Sequence, residues 1–385
     1  MLSGKTVVLA VSGSIAAYKI PNLARMLKKA GADVEVIMTQ NATEFISPIT
    51  FESLTGNKCL IDTFDRNFKY SVEHVALAKR ADIVVIAPAS ANVIGKIACG
   101  IADDMLTTTV MACPCKKIVA PAMNHNMYHN PIVQDNLSRL AKFGYEILTP
   151  EHGRMPEESI LFKTILHEIA FEKDLSGKNI LVTAGATRES IDPVRFITNH
   201  SSGKMGCAIA EAASLRGASV TLVCGHMDIE PPMFVNTVPV QSAHDMFTAV
   251  SKAAESQDII IKAAAVSDYT PKVVASNKIK KADGEMAIQL TRTVDILKWL
   301  GENKRPNQII CGFSMETENL LTNSSKKLES KNCDMICANS LSSEGAGFKA
   351  DTNILTLITK DGIESLEKMT KEKAAHIILD KLKTL

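Results

Sequence analysis

Thr6-Val7-Val8-Leu9-Ala10-Val11-Ser12-Gly13-Ser14 is the stretch from which the fold is read. Its first six residues are an unbroken β-branched and aliphatic run, as in a strand covered on both faces of a parallel sheet, and it stops at a small polar turn. From Ile15 to Lys29 the apolar residues Ile20, Leu23, Ala24 and Leu27 recur at helical spacing. Gly31 supplies a stop, and Val34-Glu35-Val36-Ile37-Met38 reads as the next strand. This is one βαβ unit. The same grammar returns at 178–225. Lys178-Asn179-Ile180-Leu181-Val182-Thr183 leads to a helix over Cys207–Leu215, and Ser219-Val220-Thr221-Leu222-Val223 follows. The recurrence predicts an α/β chain of two tandem doubly wound parallel-sheet domains, Rossmann-like or flavodoxin-like.

A length of 385 residues suits two or three domains at roughly 150 residues each. The polar segment Glu172-Lys173-Asp174, after an apolar-periodic helix through Ile160, Ile165, Leu166 and Ile169, reads as a linker. The expected domains are therefore 1–174 and 175–385. Lys and Arg total 43 against 42 Asp and Glu, a net charge of +1, which gives no global electrostatic case for nucleic acid or a membrane surface. No apolar run is long enough to span a bilayer, and Gly13-Ser14 interrupts what could pass for a signal sequence. The nine scattered cysteines read as reduced cytoplasmic thiols. Cys113-Pro-Cys115 lacks the paired spacing and nearby histidines of a zinc site.

Asp82-Ile83-Val84-Val85-Ile86-Ala87 and Lys117-Ile118-Val119-Ala120 read as further central strands. Ligands of open parallel sheets collect beyond the carboxyl ends of the strands, so the turns at 12–15, 39–41, 88–92 and 121–124 form one candidate site. The segments at 184–204, 224–226 and 264–268 form another. No three-glycine dinucleotide fingerprint and no Walker phosphate loop is present, which disfavours a standard NAD site and a Walker ATPase. Ser14 at a helix start can hold a phosphate, although capping alone accounts for it. Thr39, Ser90 and Asn124 stand at neighbouring strand ends, and His74 adds a general acid/base candidate.

Several motifs then reach known families. Gly13-Ser14-Ile15-Ala16-Ala17-Tyr18-Lys19, His74, Ala87-Pro88-Ala89-Ser90-Ala91-Asn92, Gly100-Ile101-Ala102-Asp103-Asp104 and Pro121-Ala122-Met123-Asn124-His125-Asn126-Met127-Tyr128 resemble the flavin-dependent cysteine decarboxylases. Asp192-Pro193-Val194-Arg195-Phe196-Ile197-Thr198-Asn199-His200-Ser201-Ser202-Gly203-Lys204-Met205-Gly206 resembles phosphopantothenate–cysteine ligase. Ala263-Ala264-Ala265-Val266-Ser267-Asp268-Tyr269, Lys278-Ile279-Lys280-Lys281 and Ile336-Cys337-Ala338-Asn339 extend that match. The resemblance covers both halves in order, as in the bifunctional enzymes of coenzyme A biosynthesis.

For the second half the resemblance implies CTP-dependent joining of 4′-phosphopantothenate to cysteine through an acyl-cytidylate. Asn199 would handle the intermediate and Lys278 would balance phosphate charge. Asp268, Phe313, Lys327 and Lys331 would contact the nucleotide, and Mg²⁺ would ride on the triphosphate with no assigned protein ligand. For the first half it implies FMN-dependent decarboxylation of the ligated product, with His74 as acid/base and Asn124 as carboxylate binder. Gly13, Ser14, Ile15, Thr39, Ser90 and Asn92 are the FMN-binding candidates. It also implies a homo-oligomer built from trimeric decarboxylase and dimeric ligase contacts, giving a dodecamer.

One departure stands out. The family carries a flap with a proton-donating cysteine before a Gly-Arg-Met segment, whereas here Thr149-Pro150-Glu151-His152 runs straight into Gly153-Arg154-Met155. His152 is the nearest substitute donor. An alternative follows, in which the ligase is active and the flavin half is altered or purely regulatory.

Overall fold

The computed structural model describes residues 1–63, 73–149, 153–281, 286–316, 319–340 and 350–385. His152 lies outside the described residues. The chain divides into two compact units, Met1–Phe171 and Glu172–Leu385.

In the first unit the strands are β1 (Thr6–Val11), β2 (Asp33–Met38), β3 (Ile83–Ala89), β4 (Lys116–Pro121) and β5 (Glu146–Ile147). They form one parallel sheet in the order β2-β1-β3-β4-β5. The helices are α1 (Ile20–Lys29), α2 (Pro48–Thr55), α3 (Glu73–Arg80), α4 (Ala91–Ala98), α5 (Met105–Ala112), α6 (His125–Tyr128), α7 (Pro131–Lys142) and α8 (Glu158–Ile169). Both faces of the sheet are covered: Val7, Leu9 and Val11 pack in one core, Val8 and Ala10 in another. That explains why β1 is a continuous apolar run rather than an alternating one. Burying each large aliphatic side chain contributes about 1.5 to 3 kcal/mol.

The helix expected from Ile15 is divided. Ile15–Lys19 is a 3-10 turn, and α1 starts at Ile20 with Pro21 in its first turn. Proline has no N–H to donate and a fixed φ, so it suits a helix start and not an interior.

The second unit contains β6 (Asn179–Ala184), a small hairpin of β7 (Arg188–Ser190) and β8 (Phe196–Thr198), β9 (Ser219–Cys224), β10 (Asn236–Pro239) and β11 (Ile259–Lys262). A second small pair, β12 (Tyr269–Pro271) and β13 (Leu290–Arg292), precedes β14 (Ile309–Glu316) and β15 (Met335–Ser340). The last strands are β16 (Thr352–Asn353), β17 (Leu355–Thr359), β18 (Gly362–Ser365) and β19 (Met369–Thr370). The main sheet runs β10-β9-β6-β11-β14-β15-β17-β18. Its first six strands are parallel, in the doubly wound order of dinucleotide-binding folds, and β17 and β18 extend it antiparallel. The helices are α9 (Lys204–Leu215), α10 (Ala243–Ala254), α11 (Ile296–Glu302), α12 (Leu320–Ser330) and α13 (Lys371–Lys383). α9 and α13 cover one face with Ile180 and Val182, while α10, α11 and α12 cover the other with Leu181 and Ile260.

All nine cysteines are free thiols, and no cluster of three metal-ligating side chains occurs among the described residues. No helix among them is long and apolar enough to cross a membrane.

Candidate functional site

Each sheet reverses its direction of winding at one place, and there the loops on the two sides diverge and leave a crevice. In the first unit this place lies between β1 and β3. Ser12, wholly buried, fastens its edges: its hydroxyl donates to the Pro88 carbonyl at 2.6 Å and accepts from the Ser90 N–H at 2.8 Å. Ser14 follows and donates to the Ala122 carbonyl at 3.4 Å, which ties the β1 turn to the β4 turn. The Thr39 N–H donates to the Val11 carbonyl at 3.0 Å and brings in the β2 turn. Ser14, Thr39, Ser90 and Asn124 thus stand along one rim.

All four also cap the segments that follow them. Ser14 accepts from the Ala16 N–H, Thr39 from Ala42, Ser90 from Val93 and Asn124 from Asn126. Capping and ligand binding are compatible, because the caps fix the first turns whose remaining N–H groups face an incoming anion. Ile15 is 73% exposed beside Ser14, an apolar surface at the rim. Asn92 is exposed in the first turn of α4. His74 lies in the first turn of α3, and no hydrogen bond among the described residues ties it to the rim. Asp104 caps α5 in a reciprocal box with Thr107, and Lys96 bridges Asp103 and Asp104, so that motif is architectural.

The segment after residues 150–152 returns to this rim. The Met123 N–H donates to the Gly153 carbonyl at 3.3 Å, and Lys19 pairs with Glu157 at 2.8 Å. Gly153 has φ +78°, and a Cβ there would lie 3.0 Å from the Met123 carbonyl oxygen and 3.3 Å from His125 Cα.

In the second unit the reversal lies between β6 and β11, and a cavity of about 440 Å³ opens beyond it. Its loops are stitched together by buried hydroxyls. Thr183 accepts from the Ala264 N–H at 3.1 Å and Thr187 from the Ser267 N–H at 3.0 Å. Asn199, Asp268, Phe313 and Lys327 all line the cavity. Asn339, from the fourth motif, joins them at the end of β15.

Lys278 and Lys331 are not on that wall. Lys278 is exposed on a loop held by its neighbour: the Ile279 N–H donates to Asp192 at 3.1 Å and the Arg195 guanidinium donates to the Ile279 carbonyl at 2.8 Å. Asp192 is 2% exposed and also accepts from the Val194 and Arg195 N–H groups. The Arg195 guanidinium beside it holds its carboxyl well below the usual carboxylate range. Lys331 closes α12 and pairs with Asp295, the cap of α11. Gly301 of α11 also meets this end of α12: a Cβ there would lie 1.9 Å from the Lys331 carbonyl oxygen. The wall also includes Lys204, Lys262 and Lys371, which the sequence motifs did not single out as cations of the site.

Comparison with known proteins agrees with this division. Residues 1–170 match the flavoprotein family, and residues 175–385 match the C-terminal domain of the DNA/pantothenate metabolism flavoproteins. The coenzyme A biosynthesis bifunctional protein CoaBC of Bacillus subtilis is 46% identical over 399 positions, covering 100% of this chain and 98% of the relative. The chain belongs to the family of bifunctional coenzyme A biosynthesis proteins. Membership makes it a bifunctional enzyme of that pathway. The Haemophilus influenzae member is 42% identical, covering 98% of this chain and 97% of its own length. A solved C-terminal domain of a coenzyme A biosynthesis bifunctional protein is 46% identical and covers 55% of this chain and 97% of that domain, with a TM-score of 0.48. The full-length match does not favour a flavin half kept only for regulation.

Proposed function

We propose that residues 172–385 join 4′-phosphopantothenate to cysteine using CTP, and that residues 1–171 decarboxylate the product to 4′-phosphopantetheine with FMN. The full-length match to bifunctional coenzyme A biosynthesis proteins carries this reading.

A carboxylate is a poor acyl donor, so ligation begins with activation. A carboxylate oxygen of phosphopantothenate attacks the α-phosphorus of CTP and pyrophosphate departs. The cysteine amine then attacks the acyl-cytidylate carbonyl, losing a proton as CMP leaves. Developing phosphate charge calls for cations. Lys327 on the cavity wall and Lys278 on its tethered loop meet that need, with Lys331, Asp268 and Phe313 as further nucleotide contacts. Asn199 donates to the Ala265 carbonyl at 3.5 Å and presents its amide to the acyl group. Mg²⁺ would be carried by the triphosphate oxygens and would offset their charge.

The first site fits a flavin mononucleotide by its donors: Gly13, Ser14, Thr39, Ser90 and Asn92 supply hydroxyls, an amide and helix-start N–H groups for a phosphate. Ile15 supplies apolar surface for a ring. FMN held there would supply the reversible two-electron sink that decarboxylation of the cysteine moiety requires. His74 moves the proton, and Asn124 orients the departing carboxylate.

Assembly into trimers through the first half and dimers through the second, giving a dodecamer in the cytoplasm, belongs to the same reading. The alignment with the Bacillus protein has 399 positions against 385 residues here, so this chain is the shorter at one place or more, in keeping with a reduced flap.

Mass spectrometry of a reaction of the purified chain with phosphopantothenate, cysteine, CTP and Mg²⁺ tests both halves. Phosphopantetheine, CMP and pyrophosphate are expected. Accumulation of the cysteine adduct alone would show an altered flavin half, and absence of adduct and pyrophosphate would refute the ligase reading.

A further inference from the structure

Lys262 ends β11, the strand on one side of the winding reversal in the second sheet. The strand reads Ile259-Ile260-Ile261-Lys262, and alternation puts Lys262 on the face that Ile260 shares with α10, α11 and α12. A fourth aliphatic residue would continue that core. A lysine there sits partly buried on the cavity wall, with no carboxylate in salt-bridge range among the described residues.

The charges around it do not relieve this. Lys327 of α12 and Lys331 at its end repel the ammonium, while Asp295 and Asp268 attract it. Asp295 is already engaged, pairing with Lys331 and accepting from the Lys298 N–H at 3.0 Å to cap α11. Asp268 is exposed at the mouth. Burial, with Lys327 next, therefore holds the Lys262 ammonium below the ordinary lysine range. A lysine kept at such a cost to the empty protein is matched to an anion that arrives from outside.

We infer that Lys262 is a further substrate-contacting residue of the ligase half, its ammonium engaging a phosphate of the bound nucleotide from the cavity wall it shares with Lys327. The inference rests on the nucleotide-site reading of this cavity. Lys262 supplies a charge that the protein itself leaves uncompensated, so nucleotide binding and lysine protonation reinforce each other.

Methionine has nearly the length of lysine without its charge, so calorimetry of Mg·CTP binding to the full chain and to Lys262→Met is the test. The variant is expected to bind at least about tenfold more weakly. Its unfolding midpoint without nucleotide is expected to equal or exceed that of the parent, because a desolvation cost has gone. Affinity within about twofold of the parent would overturn the inference and leave the nucleotide reading intact. Weaker binding with a lowered midpoint would also overturn it, marking Lys262 as a structural residue. Failure of the parent chain to bind Mg·CTP would remove the nucleotide reading and this inference together. A second measurement needs no variant: binding enthalpies in two buffers of different ionisation enthalpy, between about pH 8 and pH 10, are expected to show net proton uptake. No uptake anywhere in that range would overturn the inference.

Discussion

The two sheets solve the same topological problem, but the second adds lysines to its crevice. The first, wound β2-β1-β3-β4-β5, lines its crevice with hydroxyls and an amide that are already fixed as helix caps. The second, wound β10-β9-β6-β11-β14-β15, adds Lys204, Lys262, Lys327 and Lys371 to a lining that also holds Asn199, Ser201, Ser314 and Asn339. A rim of neutral caps offers backbone N–H groups in set directions, which suits a cofactor held for many turnovers. Lysines offer charge with little direction, which suits the nucleotide that the proposed ligase reaction would bind and release. Near-zero net charge conceals this contrast, because it is local.

The contrast predicts that the halves can be broken separately. His74→Asn gives the largest effect: CO₂ release should fall at least about a hundredfold while pyrophosphate release is unchanged. Coupled assays of both products on one sample check this, and unchanged CO₂ release would remove the role given to His74.

The next effect concerns how charge holds the second unit together. Arg216 donates to both Asp174 oxygens, at 2.8 and 2.5 Å, and pairs with Asp380 at 2.7 Å, while Lys383 reaches Asp174 at 2.9 Å. Arg216→Ala leaves Asp174 without its main partner, and urea unfolding should show a loss of about 3 kcal/mol. Arg216 first, with Lys383, holds the Asp174 carboxyl well below the carboxylate range. A depressed acid contributes stability above its unfolded pKa, about 4, and loses it as pH falls further. The parent should therefore lose stability more steeply than the variant below that pH.

The smallest effect sharpens the first half. Gly153→Ala places a Cβ against the Met123 carbonyl in a backbone conformation that L-residues avoid, at a cost of about 1 to 2 kcal/mol. Thermal melts should show that loss, with weaker flavin retention and unchanged ligation. Retention equal to the parent would separate this segment from the flavin rim.

The sheets were legible because strands buried on both faces leave continuous runs such as Val7 to Val11 and Ile180 to Val182. The rim was legible for a related reason: each predicted turn follows such a run, so topology alone sets Ser14, Thr39, Ser90 and Asn124 side by side. Contacts distant in sequence left no such trace. Asp192 holds the loop of Lys278 through Ile279, 87 residues away, and no local pattern announces the partner. Lys262 escaped notice because a lysine after three isoleucines reads as a strand reaching water. Only the third dimension shows that the strand ends against a cavity wall. The antiparallel β17 and β18 were equally silent, since short alternating strands at a sheet margin resemble loop sequence.

Gly301 carries a consequence for how such an enzyme can change over time. With no room for even one methyl group between α11 and the Lys331 carbonyl, main chain here approaches main chain directly. Any side chain at position 301 would force α11 and the end of α12 apart, and with them the Asp295–Lys331 pair. Over time, position 301 is therefore closed to any residue with a side chain unless α11 and the end of α12 first move apart.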